Sequence, residues 1–152
     1  MPTYVVRIPA GLLNDAKKDA LAQAITEAHH KSTGAPHLFA QVVIDEDSPT
    51  RKRYIGGKPQ LTAEPGGHVW IRGDIRGGRS AELREDLLRR LAKAAQEITG
   101  VSIDNVWVYL STMEPSTIFE FGDVVPVPDP AKEAAFVAGL APDVRAKFPN
   151  GK

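Results

Sequence analysis

The pair Thr33-Gly34 recurs as Thr99-Gly100, and sliding the chain by those sixty-six residues superimposes its two halves without a gap. Leu21 meets Leu87, Ala28 meets Ala94, and Val42 meets Val108. Tyr4-Val5 falls on Trp70-Ile71, and Ala40-Gln41-Val42-Val43 falls on Val106-Trp107-Val108-Tyr109. Few residues are identical across the offset. The hydrophobic period nevertheless changes at the same places in both halves, which marks a duplicated supersecondary unit.

Each half reads strand, helix, strand. Thr3 to Ile8 is β-branched and aromatic, which predicts a strand. Asn14 caps a helix running to about Lys31, with Ala20, Leu21, Ala24, Ile25 and Ala28 as its apolar stripe. Gly34 ends that helix and Pro36 blocks a restart. Ala40 to Ile44 is the second strand. The second half repeats the order with a strand at Val69 to Arg72, an N-cap at Ser80, and a helix striped by Leu83, Leu87, Leu91, Ala94 and Ile98. Gly100 stops the helix, and Val106 to Leu110 completes the unit.

Strands joined through a helix run parallel, with a right-handed crossover. Two such units about a pseudo-two-fold axis give an α+β fold, a four-stranded mixed sheet with both helices on one face. The other face carries Val5, Val43, Trp70, Trp107 and Tyr109, which is too apolar for water and calls for oligomerisation. The expected organisation is one domain: repeat one over 2–46, a connecting loop over 47–67, repeat two over 68–113, and a C-terminal extension over 114–152. The polar, Gly- and Pro-rich connection from Glu46 to Gly67 predicts a long loop or a short hairpin. The extension offers a turn at Gly122-Asp123, prolines at 126, 128 and 130, and a short helix near Ala131 to Val137. It is expected to wrap a neighbour or cap a site.

Lys+Arg and Asp+Glu number 19 each, a balance that argues against nucleic acid or an anionic membrane as the partner. The chain has no cysteine, which excludes disulfides, thiolate zinc sites and thiol catalysis. Tyr4 to Ile8 is too short for a signal-peptide core and is interrupted by Arg7, and no stretch reaches membrane-spanning length. A cytoplasmic location is expected. His29-His30 is not a metal pair, because adjacent helical residues point apart and no third ligand has suitable spacing. The glycine pairs fit neither a Walker loop nor a dinucleotide fingerprint. Glu85 with Arg89, and Asp86 with Arg90, read as a solvated helix face.

The topology brings distant polar residues together. In a pseudo-two-fold pair the inner strands run antiparallel, so the start of the first lies beside the end of the third. Pro2 sits at that start, while Arg76 and Arg79 follow the third strand. The first helix returns His29 towards Pro2. The fourth strand, parallel to the third, brings Tyr109 and the following segment with Glu120 to the same edge.

These residues carry a family resemblance. Pro-Thr-Tyr directly after Met1, on a duplicated β-α-β unit, resembles the tautomerase superfamily, which works with an amino-terminal proline. The segments Ile25-Thr26-Glu27-Ala28-His29, Arg76-Gly77-Gly78-Arg79-Ser80-Ala81-Glu82-Leu83, Val106-Trp107-Val108-Tyr109 and Phe119-Glu120-Phe121-Gly122 resemble the cis-3-chloroacrylic acid dehalogenase branch. The resemblance runs from Pro2 to about Pro128. It implies a tautomerase-like fold, a homotrimer, no metal or organic cofactor, and a small unsaturated carboxylic acid as substrate. It further implies that Pro2, freed of Met1, is the general acid and that His29, Arg76 and Arg79 bind the substrate carboxylate. Glu120, assisted by Tyr109, would activate water. The loop Ala35-Pro36-His37-Leu38 and the segment from Tyr54 to Pro65 depart from the dehalogenase pattern.

Two alternatives stand beside hydration. One is a keto-enol tautomerase of 2-oxo acids, or a related decarboxylase, in which a neutral Pro2 is the base. Nearby arginines and burial favour the neutral amine, whereas an acidic neighbour favours the ammonium. The other is a trimeric binding module without chemistry.

Overall fold

The computed structural model describes residues 2–48, 50–60 and 67–147. Strand β1 (Thr3–Pro9) leads into helix α1 (Asp15–Thr33), and the chain returns as β2 (Gln41–Asp47). A hairpin of β3 (Arg53–Ile55) and β4 (Lys58–Gln60) precedes β5 (Val69–Arg76), α2 (Ala81–Thr99) and β6 (Val106–Met113). Beyond them lie the short strands β7 (Phe119–Glu120) and β8 (Asp123–Val124), then helices α3 (Pro130–Gly139) and α4 (Pro142–Ala146). The main sheet has the order β2-β1-β5-β6. Its outer pairs are parallel and its central pair β1/β5 is antiparallel, the mixed α+β sheet expected.

Side-chain alternation decides which face the helices cover. Tyr4, Val6 and Ile8 of β1 are fully buried against Leu21 and Ile25 of α1 and Leu87, Leu91 and Ala95 of α2. Each large apolar side chain removed from water contributes about 1.5–3 kcal/mol, so this face holds the sheet and helices together. Val43, Trp107 and Tyr109 project from the opposite face and are exposed. Polar residues interrupt that face: the Arg7 guanidinium lies 5.3 Å from the Trp70 ring.

The duplication is also written in hydrogen bonds. Asn14 Oδ1 accepts from the Lys17 N–H at 2.9 Å, and Ser80 Oγ accepts from the Leu83 N–H at 3.2 Å. Thr33 Oγ1 donates to the His29 carbonyl and accepts from the Ala35 N–H. Thr99 repeats both bonds with Ala95 and Val101. The following glycines adopt φ of 71° and 72°, the left-handed region that glycine enters at least cost. The Thr-Gly pair recurs because it closes both helices in the same way.

The strands outrun the expected ends at Ile44, Arg72 and Leu110. Gly73-Asp74 resembles a strand stop, yet Gly73 lies inside β5. A Cβ there would fall 2.6 Å from Tyr4 Cε1 and 2.8 Å from Leu110 Cδ2, so glycine makes room for the Tyr4 ring. Arg76 is therefore the last strand residue and not part of the turn after it. The connection between repeats contains the β3–β4 hairpin, turning through Gly56 and Gly57, while its residues 61–66 lie outside the described set. The tight turn of the extension is Phe121-Gly122, with φ of 55° and 89°, one residue earlier than expected. Phe136, Val137, Leu140 and Val144 pack on Ala35, Leu38 and Phe39, so α3 and α4 cap the loop after α1 of their own chain. Among the described residues no helix is long and apolar enough to cross a membrane.

Candidate active site

The central strand pairing places the start of β1 beside the end of β5. Thr3 pairs with Asp74, and the buried Pro2 is anchored by its carbonyl, which accepts the Gln41 N–H at 2.9 Å. After Arg76, the Gly77 N–H donates to the Met113 carbonyl at 2.7 Å. Gly78 then turns with φ 89° and delivers Arg79 just before the Ser80 cap of α2. Pro2, His29, Ala35, Phe39, Arg76 and Arg79 line one small cavity of about 10 Å³, room for about one water.

His29 descends from α1 into this cavity and is 2% exposed. Its Nδ1 lies 2.7 Å from the Tyr4 hydroxyl. Burial, with Arg79 and then Arg76 acting in the same direction, pulls the imidazole pKa down to about 3. The ring is neutral at pH 7. Burial pushes the Tyr4 phenol pKa well up, against the opposing pull of Arg79, so the hydroxyl keeps its proton. With the hydroxyl donating to Nδ1, the imidazole proton would sit on Nε2. Nε2 is buried and has no hydrogen-bond partner among the described residues, and the same holds for Nε of Arg79. Arg79 Nη1 donates to the Thr33 carbonyl at 3.2 Å. Native structures rarely strand buried donors, and an anion in the cavity would satisfy both.

Arg76 is differently placed. It is 4% exposed, its Nη1 donates to the Pro126 carbonyl at 2.6 Å, and its Nη2 pairs with the Glu133 carboxylate of α3. Its guanidinium lies 5.8 Å from the Phe39 ring centroid. Pro126, Glu133 and Phe39 were not foreseen as site residues, nor was Tyr4. A signal existed for Tyr4, since a tyrosine at an inward strand position must find a partner for its hydroxyl. For Glu133 there was none, because an acid in a first helical turn reads as a dipole partner.

Four of the six expected residues thus meet, and two do not. Tyr109 is 51% exposed on the open face of β6, level with Arg72 and edge-on to Trp70 at 5.9 Å. With Arg7, Arg53, Tyr54, His68 and Trp107 it lines a separate groove of about 310 Å³. Strand alternation is the reason: Tyr109 leaves the face opposite to the one that receives His29. Glu120 is half-buried in the β7–β8 hairpin and does not line the cavity either. The hairpin is tied to the site nonetheless. The Val125 N–H bonds the Ile118 carbonyl at 3.0 Å, and the next residue, Pro126, holds Arg76.

The duplication shows how singular this site is. Shifted by one repeat, Pro2, His29, Arg76 and Arg79 correspond to His68, Ala95, Ala10 and Leu13. The second copy supplies the same fold without the convergent cations.

Comparison with known proteins agrees with this architecture. A family model described as "Putative oxalocrotonate tautomerase enzyme" matches residues 1–139. A member of the cis-3-chloroacrylic acid dehalogenase family, called N1, is similar at 28% identity and TM-score 0.84. That match covers 97% of this chain and 99% of the other. A fused 4-OT solved as a symmetric trimer matches at 22% identity and TM-score 0.70, over 81% of this chain and 94% of that one. No curated protein sequence matches. A family match across nearly the whole length, on a duplicated β-α-β sheet of this order, shows that the chain belongs to the tautomerase family.

Proposed function

We propose that the protein hydrates and hydrolytically dehalogenates small unsaturated carboxylic acids, such as cis-3-chloroacrylate, without a cofactor. The observation that carries this reading is the shared cavity of Pro2, His29, Arg76 and Arg79, supported by similarity to a cis-3-chloroacrylic acid dehalogenase family member. Removal of Met1 would expose Pro2 as a secondary amine. As an ammonium it protonates C2 of the acid while water adds to C3, with Glu120 accepting the water proton and Tyr109 assisting. The resulting 3-chloro-3-hydroxypropanoate expels chloride as its hydroxyl loses a proton, giving malonate semialdehyde. Arg79 and the Nε2–H of His29 hold the substrate carboxylate. Arg76 adds its field from one side of the cavity.

Tyr109 stands away from the cavity of its own chain, so in this mechanism it serves the cavity of a neighbour. A homotrimer built through the open face would bring it there, in keeping with the trimeric state of the fused 4-OT. A three-carbon acid is larger than the cavity, so binding requires its lining to open.

The second reading, a keto-enol tautomerase with neutral Pro2 as base, is favoured by one observation. The four residues that meet in a single chain suffice for moving a proton between oxygen and carbon, and the two that would activate water stand outside. Product NMR decides between the two. The protein is incubated with both 3-chloroacrylate isomers, propiolate and an enol of a 2-oxo acid. Malonate semialdehyde from the cis isomer and propiolate supports hydration. Ketonisation alone transfers the assignment to the tautomerase, and no turnover of any of the four leaves a binding module.

A further inference from the structure

The pairing of Arg76 with Glu133 is hard to explain by stability. Burying a carboxylate and a guanidinium costs several kcal/mol of desolvation per ion, and a packed apolar pair would serve as well. Yet Arg76, in the lining of the Pro2 cavity, is 4% exposed, and its partner Glu133 behind it is 8% exposed. The pairing changes what the cavity can take. Two guanidiniums line it, but Arg76 already has a carboxylate on Nη2 and a carbonyl on Nη1. Of the described residues that line the cavity, those with a buried nitrogen left without a partner are Arg79 at Nε and His29 at Nε2, together one guanidinium charge and, with the proton on Nε2, a second N–H. That set matches one carboxylate.

We propose that Glu133 sets the substrate class of this site: as an internal carboxylate on Arg76 it restricts the cavity to monocarboxylates and excludes dicarboxylates. This rests on the Pro2 cavity being the substrate site, but not on which reaction occurs there. A dicarboxylate entering the cavity has to place its second carboxylate against Arg76. There it meets the like charge of Glu133, close by and shielded from water, where repulsion is strong. Glu133 touches no reacting atom in this arrangement. It is a positioning residue that discriminates by repulsion.

The test is calorimetric titration of the full chain with propionate and with malonate, which have the same carbon count and differ by one carboxylate. The wild-type protein is expected to bind propionate at least about tenfold more tightly, a difference of about 1.4 kcal/mol. Glu133→Gln keeps an oxygen acceptor for Arg76 and removes the charge. It should bring the two affinities within about twofold or reverse them, for a change of at least about 1 kcal/mol. Glu133→Asp should keep the wild-type preference, which a merely structural role for the side chain would not require. Thermal unfolding of each variant confirms that it is folded. Malonate bound as well as propionate by wild type overturns the proposal even if no variant folds. An unchanged ratio in folded Glu133→Gln, or no binding of either anion, does so too. Propiolate turnover is followed separately, so loss of hydration with retained selectivity counts against the reaction and not against Glu133.

Discussion

The Tyr4 hydroxyl reaches across the core from β1 and meets Nδ1 of His29 at 2.7 Å, joining the hydrophobic interior to the wall of the Pro2 cavity. Tyr4→Phe leaves that nitrogen buried without a partner, which costs about 1–3 kcal/mol. The melting temperature should fall by several degrees at constant chain length. The tautomer of His29 is no longer fixed, so carboxylate affinity should fall as well. An unchanged melting temperature and unchanged affinity would show that the contact is incidental.

Acid should attack the same ring. The His29 pKa lies near 3 in the folded chain, below the ordinary value of 6.5. The unfolded chain therefore binds more protons between those values, and stability falls as pH drops through that window. Above about pH 6.5 this group makes no difference. Its full effect approaches about 5 kcal/mol near pH 3, and His29→Gln should flatten the pH dependence of urea unfolding between pH 6 and 4.

Gly73 supplies the space that Tyr4 occupies. Gly73→Ala introduces a methyl within 2.6 Å of Tyr4 Cε1 and should cost about 1–3 kcal/mol through overpacking. Combining it with Tyr4→Leu should cost less than the sum of the separate changes, because the two residues compete for one volume. Strict additivity in denaturant unfolding would contradict the packing argument.

The two arginines should separate in kinetics and stability. Arg79→Lys removes the unpaired Nε donor, and a hydrogen bond to a charged group contributes about 1.5–3 kcal/mol. Its KM should rise by at least about tenfold with the fold intact. Arg76→Ala strands Glu133, so its main effect should be a loss of about 3–5 kcal/mol in stability. Equal melting temperatures for the two variants would undo the division of roles.

How legible this was in the sequence varied by element. The repeat, both N-caps and both Thr-Gly helix ends could be read directly, because each is a local hydrogen-bond device with its own side chain. Tyr4, Val6 and Ile8 alternate inward as their strand period requires. Gly73 was not legible as a strand residue, since a glycine that makes room for a ring sixty-nine residues earlier in the chain looks the same as a strand stop. Pro2, His29, Arg76 and Arg79 could be gathered from topology alone. Strand alternation already put Tyr109 on the open face, yet its position along β6 gathered it into the site; the face decides, and its ring points away from the cavity. Glu133 was hidden entirely, since only the tertiary fold of the extension brings α3 over Arg76.

Glu120→Gln separates the two proposed reactions. It should lower hydration of propiolate by at least about a hundredfold, the scale of general base catalysis, while leaving any ketonisation of an enol substrate within about twofold, since that step draws on no water-activating base. Equal loss of both activities would remove Glu120 from the role of water activator.

The central claim is that Pro2 acts through a free secondary amine. With Met1 in place its nitrogen is a tertiary amide, with neither an N–H nor useful basicity. Intact mass spectrometry of the active protein, measured beside its turnover of cis-3-chloroacrylate, is the direct test. Turnover should track the fraction of chains that begin at Pro2. Full activity in protein that retains Met1 throughout would contradict the account.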